Sequence, residues 1–471
     1  MPVQNSPTLT VKYNPLVPFT VFLIAFAPAM AAYFTGKTAL LMVCLTIPFI
    51  FYLVTNPRQS FYLFLLSIAV YYPYHLTGFA VHPFDLAMGL LYFSVILDFC
   101  LHTRTEIRKT GLDLAFLFLI IATFISAVFA YNVRQSIVPL FRIMVIYLAF
   151  RVVFKMALEL SVRKVVLFYI YQVFALSLIN CVLFVMRGGG VRVFGPSWLA
   201  FEIYTITALP MALCFFIWAG NTNERFKFGL ISLTIIAALM ALQSRGSLLA
   251  VVITIPILLL LAYNKIKKEK NIAPSRNIKR ITVIAAVIAF VFVIFNETLL
   301  IGFIDRVREM IESLARPKGT IALRLVLWDA AFKGFLSSPL VGIGIGNYIF
   351  IENIVPSVKT APVWYYIRGM SSHNVLLQYL CETGLLGTLA LLTVTFINLR
   401  MAYRNFKRKM SLENTQVSAA LLMVVIVFAH SILYMRAWTW GQEGYLMAVL
   451  FGLNAAWYYH NQNLTKSNNS L

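Results

Sequence analysis

The sequence is poor in charge. Only 12% of its 471 residues are Asp, Glu, Lys or Arg, where a soluble domain carries roughly 25%. Acidic residues are scarcer still, with 17 Asp and Glu against 39 Lys and Arg. A soluble multidomain enzyme could not cover its surface with so little charge and is excluded. The five cysteines form no C-x-x-C pair, so neither a disulfide framework nor a zinc site is indicated. Internal repeats and low-complexity segments are missing, and the first apolar run lacks a small-residue cleavage site for a signal peptide. What is abundant is apolar sequence: 61% of the chain is hydrophobic and the mean hydropathy is +0.82. The expectation is an all-α, polytopic membrane helix bundle.

Apolar spans fall near 15–34, 38–55, 60–73, 83–101, 112–131, 136–155, 165–186, 198–219, 229–243, 248–263, 281–300, 373–399, 416–435 and 441–458. Several are shorter than the ~20 residues of a spanning helix, so 12 to 14 transmembrane helices are expected. Alternating the spans tests this arrangement against charge. With the N-terminus inside, 24 of the 39 basic residues lie on the cytoplasmic side and 6 in short outside loops. Eight more lie in one long outside segment, and Arg142 lies within a span. This is a positive-inside distribution, with both termini cytoplasmic. The expected organisation is N-terminal transmembrane helices over 1–300, a long, partly helical periplasmic loop over 301–372, and C-terminal transmembrane helices with a short cytoplasmic tail over 373–471. Within the loop, 304–314 and 320–336 have helical spacing. The basic run NKIKKEKNIAPSRNIKR reads as a loop facing lipid headgroups rather than a nucleic-acid site.

The informative basic residues are those left outside against the bias. Arg187 and Arg192 flank three glycines, Arg245 lies in a tight turn between two spans, Arg324 begins Arg-x-x-x-Trp, and Arg368 and His373 bracket RGMSSHNVLLQYL. Taken singly, each has an ordinary alternative: a helix-end arginine that snorkels, or an interfacial histidine. Beyond His373, Asn374, Gln378 and Glu382 recur every four residues as one polar stripe, with Glu382 ~12 Å deeper than Asn374. A buried carboxylate there is a functional candidate or one half of a helix-packing ion pair with an outside arginine, and Arg142 invites the same two readings. His75 and His82 lie outside without arginines beside them, His102 and His460 lie inside, and His430 reads as a packing residue. Gly342-x-Gly344-x-Gly346 lacks the context of a dinucleotide loop and reads as a tight turn re-entering the membrane face. Arginine forks bind phosphate bidentately, so several beside lipid suit a pyrophosphate-linked lipid. A nearby histidine could deprotonate an attacking hydroxyl. The acidic residues of the long segment (Asp305, Glu309, Glu312, Asp329 and Glu352) are spread out, with no Asp-x-Asp pair, which favours metal-independent chemistry, and no cofactor is expected.

RGGGVRVFGPSWLA, QSRGSLLA, Arg324-x-x-x-Trp328, PLVGIGIGNY and SHNVLLQYLCETGLLG follow one another along the chain. In that order the chain resembles the O-antigen ligase and polymerase family of bacterial envelope glycosyltransferases. The resemblance implies a metal-independent, inverting glycosyltransferase of the inner membrane. The donor would be a glycan on undecaprenyl pyrophosphate at the periplasmic face. A ligase passes that glycan to lipid A–core, and a polymerase passes it to the next lipid-linked repeat. The resemblance places pyrophosphate binding on Arg245 and Arg324, and a base or acceptor-orienting role on His373. Arg187, Arg192, Arg368, Asn374 and Glu382 are further candidates for substrate binding. The single large outside loop resembles the ligase arrangement. An O-antigen or exopolysaccharide polymerase is the alternative, and a lipid-glycan transporter or flippase is a reading from a different class. Transporters place charge near the midplane between repeated halves, whereas here the polar residues gather on one face.

Overall fold

The computed structural model describes residues 49–68, 74–76, 79–81, 83–101, 108–186, 198–242, 244–268, 319–360, 364–433 and 442–469. The expected spans at 15–34 and 281–300, most of 38–55 and the amphipathic segment 304–314 lie outside the described residues. The chain divides into two compact units, residues 1–64 with 85–106, and residues 65–84 with 107–471.

The longer helices are α1 (Pro57–Ile68), α2 (Pro83–Leu101), α3 (Asp113–Val128), α4 (Val133–Leu160), α5 (Val162–Met186), α6 (Trp198–Ile217), α7 (Thr222–Leu242), α8 (Arg245–Lys268), α9 (Gly319–Ser337), α10 (Val375–Lys407), α11 (Leu412–Ser431) and α12 (Gln442–Asn469). Seven described helices are long and apolar enough to cross a membrane, and two shorter apolar ones accompany them. The protein is a polytopic helical bundle. One departure from all-α is a two-stranded hairpin, β1 (Tyr74–Leu76) and β2 (Phe79–Val81), paired antiparallel with His75 opposite Ala80.

Several helices outrun their apolar stretches, because polar residues at a bundle's end still propagate a helix once it is capped. α7 begins at Thr222 rather than near 229, with the Asn221 side chain accepting the Glu224 N–H at 2.8 Å. α10 ends at Lys407, beyond the expected end of its apolar span near 399.

In the larger unit α10 packs against α3, α9, α11 and α12, while α6 packs against α7, α8 and α11, and α4 against α12. Two ends of this bundle are distinguishable. At one end Arg151 Nη1 donates to both Asp113 carboxylate oxygens at 2.9 Å, and its Nη2 donates to the Arg108 carbonyl at 2.8 Å. At the same end Arg163 pairs with Glu413 and Glu224, and Lys265 donates to the Phe406 and Arg408 carbonyls. All of these basic residues belong to the set that the charge distribution puts on the inside. The opposite end carries the α3–α4 turn, the start of α8, and the segment from α9 to the start of α10.

Candidate functional site

The site is built around a break in α10. Gly384 has φ 61° and ψ −161°, so the helix stops and restarts there. A break strands backbone groups, and in a membrane each must find a partner in the protein. The glycine turn after α9 supplies them. Ile343 N–H donates to the Cys381 carbonyl at 2.9 Å, and Gly344 N–H to the Glu382 carbonyl at 3.0 Å. In return Leu385 and Leu386 N–H donate to the Pro339 and Leu340 carbonyls at 2.9 and 3.2 Å. Two backbones this close leave no room for side chains at the contact. A Cβ on Gly342 (φ +74°) would lie 2.3 Å from the Glu382 carbonyl carbon, and one on Gly384 would lie 2.4 Å from that of Leu340. The G-x-G-x-G run is the tight turn the sequence suggested, and its seat is this break.

The α3–α4 turn closes the other side. Ser126 Oγ donates to the Glu382 carbonyl at 2.7 Å, Tyr131 N–H to the Ile343 carbonyl at 2.9 Å, and Ser136 Oγ to the Ile345 carbonyl at 2.7 Å. Asn347 joins the two segments. Its Oδ1 accepts the Asn132 N–H at 2.8 Å and its Nδ2 donates to Ser136 Oγ at 2.8 Å, with the side chain fully buried. Sequence reasoning passed over Asn347. The signal available was an amide directly after the glycine run. Asn347→Ala would leave the Asn132 N–H without its acceptor, and is expected to cost about 1–3 kcal/mol. A melting curve of the purified variant in detergent that overlays the wild type would refute this role.

The polar stripe of α10 is turned inward. Asn374 is the N-cap, its Oδ1 accepting the Leu377 N–H at 3.0 Å. Ser372 Oγ donates to the Asn374 carbonyl at 2.8 Å. Gln378 Nε2 donates to Glu382 Oε1 at 3.3 Å, and Tyr348 N–H donates to the same oxygen at 3.2 Å. The Gly346 N–H is a further donor to this carboxylate. Glu382 is 3% exposed. Among the described residues its partners are these amides and not an arginine, so its carboxylate clamps the glycine turn onto α10. Below it, the Tyr348 hydroxyl donates to the Leu327 carbonyl at 2.7 Å, and burial pushes that phenol up, so it stays a donor.

His373 stands at the rim of this scaffold. It has φ 54°, a left-handed conformation that costs a non-glycine residue roughly 1–2 kcal/mol, and its side chain is half-buried. The surrounding contacts hold it there. Trp328 Nε1 donates to the carbonyl of the preceding Ser372 at 3.0 Å, fixing α9 against the loop. Arg324 lies one helical turn before Trp328 on the same face of α9 and is also half-buried. The Leu376 N–H donates to the Ile432 carbonyl at 3.2 Å, tying the start of α10 to the end of α11. His430 of α11 in turn hydrogen-bonds Thr254 Oγ1 of α8 at 3.0 Å. Arg245 is the first residue of α8, and Ser244 Oγ accepts the Ser247 N–H at 3.4 Å. The helix that begins with Arg245 and the one that follows His373 thus each bond to α11, through His430 in the first case, and α9 bonds the loop before His373.

Arg368 lies on the loop that leads to His373. It is exposed and pairs with Glu352, Nε to Oε1 at 3.1 Å. Arg187 and Arg192 lie outside the described residues. Arg142 is part-buried within α4.

A polytopic bundle with a broken helix, a docked glycine turn, and an arginine-bearing helix fixed beside a strained histidine defines a membrane protein with one built polar face. Residues 230–392, from α7 through the break in α10, match the family model for O-antigen ligase. The match supports a glycosyltransferase of the ligase or polymerase type, with lipid-linked glycans as the general substrate class. No curated protein matches the sequence.

Proposed function

We propose that this protein is an O-antigen ligase, transferring a glycan from undecaprenyl pyrophosphate to lipid A–core at the periplasmic face of the inner membrane. The observation that carries the reading is the Trp328–Ser372 hydrogen bond, which holds the Arg324 helix against the His373 loop. An acceptor hydroxyl attacks the anomeric carbon of the donor sugar from the face opposite the pyrophosphate. His373 receives the hydroxyl proton as the new C–O bond forms. The bond from that carbon to the pyrophosphate oxygen breaks, and its electron pair leaves with the pyrophosphate. The guanidiniums of Arg245 and Arg324 hold the developing negative charge, helped by the amide-bearing N-terminus of α8, with no metal required. Asn374 and Glu382 act by positioning, the one capping α10 behind His373 and the other clamping the turn.

The basic network of Arg108, Arg151, Arg163, Lys265 and Arg408 lies at the bundle end opposite the His373 loop. That arrangement supports a cytoplasmic position for the network and a periplasmic position for residues 301–372. The single long periplasmic segment, against only about eleven residues after 186, favours ligase over polymerase. The test is an assay of purified protein in proteoliposomes with an undecaprenyl-pyrophosphate glycan and lipid A–core. Glycan on lipid A–core is the expected product. Glycan chains that lengthen without lipid A–core would replace the ligase by a polymerase. Lipid movement with no bond formed would replace the enzyme by a flippase.

A further inference from the structure

Between the glycine turn and His373 the chain forms an open cleft of about 580 Å³, lined by Phe350, Glu352, Asn353, Tyr365 and Arg368 among others. Two chain segments bring it there. Phe350 follows the glycine turn, and Arg368 precedes His373 by five residues. The volume falls in the roughly 300–1,000 Å³ range of small-molecule sites.

The lining has a specific chemistry. Glu352 is held in place from both oxygens, Oε1 accepting from Arg368 Nε at 3.1 Å and Oε2 from Trp364 Nε1 at 2.9 Å. Trp364 itself is buried, 6% exposed, so the anchor is rigid. The Arg368 side chain is 65% exposed, with Nε committed to Glu352 and two further N–H-bearing nitrogens on its planar fork. The pair is charge-neutral, so the cleft is not an anion trap. It offers a fixed acceptor and a fixed fork of donors side by side, the arrangement that neighbouring hydroxyls of a polyol satisfy. Asn353 adds an exposed amide. Tyr365 supplies the apolar element. It is 82% exposed, and the C–H face of a pyranose packs flat on such a surface. Phe350, packed on Tyr131 with ring centroids 6.0 Å apart, supports the cleft from behind.

We infer that this cleft binds a sugar unit of the glycan substrate, with Tyr365 as the stacking platform and Glu352, Asn353 and Arg368 reading its hydroxyls. The inference rests on the reading of the candidate site as a glycan transferase, and it deepens that reading by naming where a glycan is held. The sugar could belong to the acceptor or to the donor, and the test separates the two.

The full-length protein in detergent is titrated by calorimetry with soluble core oligosaccharide freed of lipid A, and separately with the soluble O-repeat oligosaccharide. Binding of one or both is expected, about tenfold weaker in Tyr365→Ala and retained in Tyr365→Phe. In the transfer assay Tyr365→Ala should raise one KM about tenfold, with the loss falling on KM rather than kcat. A raised KM for lipid A–core assigns the cleft to the acceptor, and a raised KM for the lipid-linked glycan assigns it to the donor. Wild-type protein that binds neither oligosaccharide, or a Tyr365→Ala variant indistinguishable from wild type in both assays, overturns the inference. Tyr365-dependent binding in a protein that forms no glycosidic bond would keep the cleft and reject the transferase reading, so the two failures are distinguishable.

Discussion

His373→Ala is expected to lower glycan transfer by at least ~100-fold while the protein still inserts and melts near the wild-type temperature. A positioned general base contributes roughly 10²–10⁴ in rate, and alanine can accept no proton. Stability should be little affected, since the side chain is half-buried and alanine in the same left-handed conformation carries a similar backbone cost. Arg324→Ala should act on the other half of the reaction. Removing one preorganised donor from a developing charge costs roughly 10²–10³ in rate. Arg324→Lys should recover only part of this, because an ammonium is a point charge and cannot fork onto two phosphate oxygens. The control for both variants is the retained Trp328–Ser372 bond, which neither substitution touches. Near-normal initial rates in either alanine variant, measured on folded protein, would remove that residue from the mechanism.

The second large effect is on the scaffold. Gly384→Ala is expected to destabilise the protein by more than about 3 kcal/mol. The backbone there is left-handed, and the added Cβ would lie 2.4 Å from both the carbonyl carbon and the oxygen of Leu340 and 2.6 Å from the Val341 nitrogen. Those obstacles are backbone atoms, which cannot swing aside as a side-chain tip can. Relief requires separating the glycine turn from α10, which would break the four backbone hydrogen bonds between them and release the Glu382 clamp. Fluorescence-detected size exclusion after heating in detergent reads the loss directly. A variant that stays monodisperse to the wild-type temperature would show that the turn is not seated in the break.

Much of this architecture was legible in the sequence because hydropathy and charge act locally. The boundaries of α2, α3, α5 and α6 lie within three residues of the apolar spans, while α4 runs on to Leu160. The 320–336 segment has helical spacing and folds as α9, Gly319–Ser337. Among the described residues of the larger unit, Arg108, Arg151, Arg163, Lys265 and Arg408, all assigned to the inside, gather at one end of the bundle. The break in α10 was not legible. Asn374, Gln378 and Glu382 keep helical period up to it and the apolar pattern resumes after it, so Gly384 is the one local sign, and a lone glycine is tolerated within a helix. The helix yields there because carbonyls at 381 and 382 are captured by amides some forty residues upstream, a tertiary effect. For the same reason Glu382 was legible as a buried carboxylate but its partner was not. Sequence reasoning left an arginine ion pair open, whereas the structure supplies backbone amides of the glycine turn. Among the site residues, Arg324, Trp328 and His373 could be singled out by motif. The bonds that join their elements, from Trp328 to Ser372 and from His430 to Thr254, link positions far apart in the chain and are visible only in three dimensions.

The central claim is that a glycosidic bond is made here at the expense of a lipid pyrophosphate linkage. Its most direct test counts undecaprenyl pyrophosphate released per glycan joined to lipid A–core, by purified wild-type protein in proteoliposomes containing EDTA. The account predicts one released per bond formed, with both quantities falling together in Arg324→Ala. Glycan that crosses or stays in the membrane with its pyrophosphate linkage intact, and no bond to acceptor, would contradict it.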